Sequence, residues 1–195
     1  MSLFSLDNFK AEVLGHGLAR PNRFELELTI PASINQYYGR YSSTLNLFCE
    51  ETNFPPLIVN SKSYRIFGPS YQRPVSTEYG GEGISITFHV DREMKLKFLI
   101  EEWISLVVDP NTFLLNYQGE YITTMRIHQL NDEDNLVYTC ELYEVFPRSL
   151  NVMPLNNNTT NQTHRMTVMF GYRYWRGFIP EQLGYIRSKP ERTNI

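Results

Sequence analysis

Four apolar residues, Ile84, Ile86, Phe88 and Val90, alternate with Ser85, Thr87 and His89. A period of two puts one set on a dry face and the other on a wet face of a strand; no helix does this. The pattern recurs at Phe24, Leu26, Leu28 and Ile30, interleaved with Glu25, Glu27 and Thr29 and stopped by Pro31. It returns at Met166, Val168, Phe170, Tyr172 and Tyr174. Aromatic residues make up 14% of the chain, with 13 Tyr and 12 Phe, and such side chains pack well on pleated surfaces. The chain is therefore expected to be mainly β.

The remaining elements follow from punctuation. Leu45–Glu50 reads as a second strand before Pro55-Pro56, and 57–67 as a third extended segment. Gly68-Pro69 and Arg73-Pro74 mark a loop reaching to Gly83. Leu96, Leu99, Ile100, Trp103, Leu106 and Val107 recur at helical spacing, which predicts one helix over about 92–108 with Asp91 as its N-cap. Strands are predicted over about 120–130, 136–146 and 164–175. The polar turn Asn131–Asn135 joins the first two of these. The sum is an antiparallel β-sandwich or barrel of six or seven strands flanked by a single helix. Residues 1–20 form an N-terminal arm, because Gly15-His16-Gly17 breaks any helix begun at Leu6. Residues 21–176 form the β domain and 177–195 a C-terminal extension.

Composition narrows the function. At 195 residues the chain suits one domain. Its 18 basic and 21 acidic residues leave a net charge of −3, whereas a nucleic-acid-gripping protein normally carries a basic excess. No apolar run is long enough for a membrane span, so no membrane partner is expected. The first ten residues lack the basic and apolar regions of a signal peptide, which predicts synthesis in the cytoplasm.

Motifs for catalysis are missing. Gly80-Gly81-Glu82-Gly83 leads into a strand and lacks the Lys-Ser/Thr ending of a phosphate loop. His16, His89, His128 and His164 are scattered, with no pair four residues apart on a helix as zinc sites use. Cys49 and Cys140 lack redox or zinc spacing and read as small buried hydrophobes. Glu50-Glu51 and Glu101-Glu102 read as wetted faces. The Asn-x-Thr matches at Asn157, Asn158 and Asn161 read as a solvated loop. No catalytic residue, cofactor or metal is expected.

Several stretches carry a resemblance. Ala19-Arg20-Pro21-Asn22-Arg23-Phe24-Glu25-Leu26 is similar to the segment that opens tail tube proteins of contractile-tailed bacteriophages. Phe48-Cys49-Glu50 with Asn53-Phe54-Pro55 resembles that family's Phe-x-Cys stretch and following proline, shifted by one residue. Phe98–Trp103 resembles its helix. Phe146-Pro147, Leu150–Leu155 and Tyr174-Trp175 resemble its C-terminal signature. The likeness spans about 19–176 and departs from the family in the 68–83 loop and the tail after 176. It implies a structural virion protein, related to the inner tubes of contractile injection systems. It also implies that six copies form a hexameric ring whose inner strands join into one β-barrel. Rings stack into the tail tube, beside tail sheath and baseplate proteins, and DNA ejection proceeds through the lumen without specific binding. A baseplate-proximal tube initiator or terminal ring of the same fold is the alternative, and a virion-associated enzyme a distant one.

Overall fold

The computed structural model describes residues 5–156 and 163–180. An arm helix α1 (Leu6–His16) begins at Ser5, whose hydroxyl accepts from Asp7 N, and ends at Gly17 with φ of 71°. Then come β1 (Phe24–Leu28), α2 (Ala32–Tyr38), α3 (Arg40–Leu47), β2 (Cys49–Thr52), β3 (Ile58–Tyr64), β4 (Tyr71–Glu78) and β5 (Ile84–His89). The chain continues with α4 (Lys95–Val107), α5 (Gln118–Tyr121), β6 (Thr123–Leu130), β7 (Leu136–Leu150), β8 (Arg165–Gly171) and β9 (Tyr174–Phe178).

The mainly β, antiparallel architecture is as expected. Seven strands form one hydrogen-bonded system, and β3 and β4 form a separate pair. The system folds into two layers that share β7. The first half of β7 lies between β6 and β9, with β1 beyond β6. Its second half pairs with β8, followed by β5 and β2. A strand that changes layers must bend, and the bend falls at Glu144, a non-glycine residue with φ of 55°. Arg173 Nη1 at 2.6 Å and Gln118 Nε2 at 2.8 Å both donate to the Glu144 carboxylate and hold this corner.

The core lies between the layers. Leu26, Leu28, Met125, Ile127, Cys140 and Leu142 face inward from the first, and Ile84, Ile86, Phe88, Met166, Val168 and Phe170 from the second. α4 adds Leu96, Leu99, Ile100 and Trp103, all fully buried.

The structure corrects several expectations. The described residues hold nine strands instead of six or seven, and five helical segments instead of one. The sheet does not close into a barrel: among the described residues β1 and β2 each pair on one side only. Leu45–Phe48 is not strand, because α3 runs to Leu47 and buries only Leu45 while Leu47 lies in solvent. Two leucines at i and i+2 imitate strand alternation, but on a helix they stand about 200° apart, so one is buried and the other wet. Ser42 and Asn46 of the same helix bond to the edge of β1 at Leu28. Asp91 is not the residue that begins α4. Met94, in the left-handed region, occupies the cap, and the Asp91 carboxylate reaches in to accept from Lys95 N (3.1 Å) and Leu96 N (2.9 Å). The 68–83 loop contains a full strand, β4, paired with β3. Pro74 is accommodated there beside a register shift, as proline in a strand requires. The last predicted strand is two, β8 and β9, interrupted at Tyr172-Arg173.

Candidate assembly interface

Three surfaces stand out, and none is a pocket of titratable groups. The first is the wet face of the layer β1-β6-β7-β9. Register places Glu27 beside Arg126, Arg126 beside Glu141, and Glu141 beside Arg176. Charge thus alternates in sign across four strands. Arg126 donates to Glu141 (2.8 Å) and to Glu27 (3.1 Å), and these carboxylates hold its guanidinium above its ordinary pKa. His128 Nδ1 meets Thr139 Oγ1 at 2.8 Å one rung away. Tyr143 and Tyr174 stack at 4.7 Å, and burial together with the Glu141 carboxylate pushes the Tyr143 phenol up to about 12.

The second surface is the pair of strand edges bounding this layer. The Leu28 end of β1 is covered: Leu28 N donates to Asn46 Oδ1 (2.9 Å), and Ser42 Oγ donates to Leu28 O (3.2 Å). The Phe24 end carries no such cover among the described residues. Just before it, Arg20 pairs with Asp132 (3.3 Å) and Arg23 with Asp134 (2.5 Å). Gln129 Nε2 donates to the carbonyls of both arginines. The Ala-Arg-Pro-Asn segment is therefore clamped onto the acidic 131–135 turn, which sets where β1 begins.

The third surface is the β3–β4 hairpin, every residue of which is exposed. It carries Val59 and Val75 into solvent, with Ile66 and Phe67 at its tip. Phe67 is 94% exposed. Lys62 stands directly opposite Arg73, a like-charge pair that disfavours an isolated hairpin. α1 similarly exposes Leu6, Phe9 and Leu14. Apolar patches of this kind mark contact surfaces.

The residues weighed for chemistry do not converge. His89 Nε2 lies 3.7 Å from Glu50, His128 is held by Thr139 and Glu27, and His164 contributes its carbonyl to Val90 N. Among the described residues no group of three or more His, Cys, Asp or Glu could hold a metal, and no helix is long and apolar enough to cross a membrane. Gly80-Gly81-Glu82-Gly83 is a turn into β5. Residues 157–162, with the Asn-x-Thr asparagines, and 181–195 of the C-terminal extension lie outside the described residues. Cys140 is fully buried and Cys49 half-buried, and burial pushes both thiols up to about 12. At pH 8 that leaves about one thiolate in ten thousand. Colorimetric thiol titration of the native protein is expected to leave Cys140 unreacted for hours and to count both cysteines at once in denaturant. Rapid native labelling of Cys140 would contradict this burial.

Sequence reasoning did not single out the charge row, because its members come from four strands and only the register aligns them. The hairpin was legible in part, as punctuation around Gly68 and Pro74.

A two-layer antiparallel sandwich with open edges, a projecting hairpin and a flanking helix is the architecture of a subunit with strand edges free to pair with other chains. The sequence profile of phage tail tube proteins matches residues 19–177, and the chain belongs to that family. No curated relative matches it. Solved structures share the fold at low identity. The tube-terminating cap of the anti-feeding prophage matches with a TM-score of 0.58 and 15% identity, over 83% of this chain and 91% of that one. The sheath–tube complex of the extracellular contractile injection system PVC matches at 0.54 and 16%, over 87% and 97%. The PVC sheath/tube terminator matches at 0.56 and 15%, over 83% and 96%.

Proposed function

We propose that this chain is a non-enzymatic structural virion protein whose copies close into hexameric rings, and that the rings stack into a tail tube for DNA ejection. Residues 21–176 form the ring together with the end of β9, while the arm (1–20) and the β3–β4 hairpin reach neighbouring rings, sheath or baseplate. The carrying observation is the layer β1-β6-β7-β9 in a family of tube proteins: its charged face is built, yet its bounding strands have no outer partner among the described residues. Unpaired edges invite other chains, and identical neighbours around a closed ring satisfy them all. The exposed Ile66 and Phe67 of the hairpin and Leu6 and Leu14 of α1 then become buried between rings.

Purified protein is expected to show rings or short tubes by negative-stain electron microscopy and a hexamer by native mass spectrometry. A monomer persisting across salt and concentration would overturn the reading. Gold labelling of intact particles separates a repeating subunit, marked along the whole tail, from an initiator or terminal ring, marked once at one end.

A further inference from the structure

We propose that ring closure joins β9 of one copy to β1 of the next in a fixed register. Phe24 lies opposite Gly177, Leu26 opposite Trp175, and Arg176 faces the neighbouring copy's Glu25. This rests on the ring reading above and extends it by naming the edges, the register and the charge pair that closes the seam.

Strand direction comes first. β1, β6, β7 and β9 are joined by antiparallel pairings throughout, so the first and last strands of this four-strand layer run opposite ways. Rotation about a ring axis preserves direction, so β9 meets the next β1 antiparallel. The other layer is a poorer candidate. Its edge strand β2 has four residues with a register shift between Cys49 and Glu51, and its β7 edge contains Pro147, which has no N–H to offer.

Hydrogen-bond alternation gives the register. Leu130 N donates to Arg23 O (2.9 Å) and Thr29 N to Thr124 O (3.4 Å), so odd positions of β1 bond to β6. Phe24 and Leu26 therefore point their N–H and C=O outward. Carrying the alternation through β6 and β7 along the observed register makes Tyr174, Arg176 and Phe178 bond inward. Trp175 and Gly177 then point outward. Among the described residues, both edges are obstructed at one end only. On β1 it is the Leu28 end, held by Asn46 and Ser42; on β9 it is the Tyr174 end, where the Tyr79 ring lies 6.4 Å from both Tyr174 and Trp175. Antiparallel pairing of Phe24 with Gly177 brings the two open ends together and the two obstructed ends together.

Charge agrees with this register. Arg176 and Glu25 are both exposed, and neither forms an ion pair among the described residues, although their neighbours Glu27, Arg126 and Glu141 do. The Arg176 guanidinium lies over the Tyr174 ring, 5.7 Å from its centroid. Across the seam its guanidinium meets a carboxylate, and the sign alternation Glu27, Arg126, Glu141, Arg176 passes into the next subunit.

The test uses the full chain. Glu25→Cys with Arg176→Cys places two sulfurs at a non-hydrogen-bonded antiparallel pair, where the Cα atoms lie about 4.5 Å apart and a disulfide fits. Mild oxidation should give a ladder of covalent species ending at six copies on non-reducing gels, and each single variant should give none. Arg176→Glu should raise the concentration needed for half-assembly by about tenfold or more, as should Glu25→Arg, and the two reversals combined should restore assembly. Wild-type rings without a ladder from the double-cysteine protein, or single reversals that leave assembly unchanged, would overturn the seam and leave the ring reading standing. Wild-type protein that never forms rings would remove both.

Discussion

Replacing Trp103 with alanine is expected to lower the unfolding free energy by about 3–5 kcal/mol, the range for deleting a large buried aromatic side chain. The indole is fully buried on α4, its ring 5.9 Å from Phe170 of β8. Its Nε1 donates to Tyr121 O at 2.8 Å, tying the helix to the α5 turn that leads into β6. The substitution thus leaves a cavity and an orphaned carbonyl in one step. For a chain of this size the melting temperature should fall by about 10 °C. Trp103→Phe keeps much of the buried area and loses the hydrogen bond, so it should cost about 1–2 kcal/mol. Denaturant unfolding followed by circular dichroism measures both. A loss below about 1 kcal/mol for the alanine variant would mean that α4 is not the central support of the sandwich.

Gly83→Val is the second large effect. Gly83 has φ of +98°, and a Cβ there would lie 2.3 Å from Phe170 O, a backbone atom that cannot swing aside. Phe170 is paired with Ile84 in the ladder between β5 and β8, so relief of the clash must pull that ladder apart at its end. Backbone strain alone is worth about 1–3 kcal/mol, and the displaced rung adds to it. A loss of about 3 kcal/mol or more is expected, with Gly81→Ala as a milder comparison, because its Cβ would meet only the flexible Glu78 carboxylate at 3.1 Å. Equal stability of the two variants would argue against the tight turn into β5.

The sequence made the central strands plain because burial there is one-sided. Ile84, Ile86 and Phe88 are buried while Ser85, Thr87 and His89 are less so, and period two records that difference directly. The helix over 95–107 was legible for the same reason, since Leu96, Leu99, Ile100 and Trp103 share a stripe. Legibility failed where burial is absent or minimal. β3 falls within the extended segment read at 57–67, but β4 was read as loop: it is exposed on both faces, so no alternation marks it, and Pro74 argued against a strand that a two-stranded hairpin tolerates. α3 buries a single residue, too little to establish a period. The edge pairing at the proposed seam is a property of register, and register follows from the turn geometry and bulges that align β6, β7 and β9, not from any local run of residues.

β7 runs through both layers without a break in the chain, sharing its rungs among β6, β9 and β8. The sandwich therefore has no plane along which one sheet can peel from the other. Loosening either sheet strips partners from the same fifteen-residue strand, so damage on one side reaches the opposite side through covalent bonds as well as packing. A conduit wall made of such units would resist splitting between its inner and outer skins, because a single strand is stitched into both.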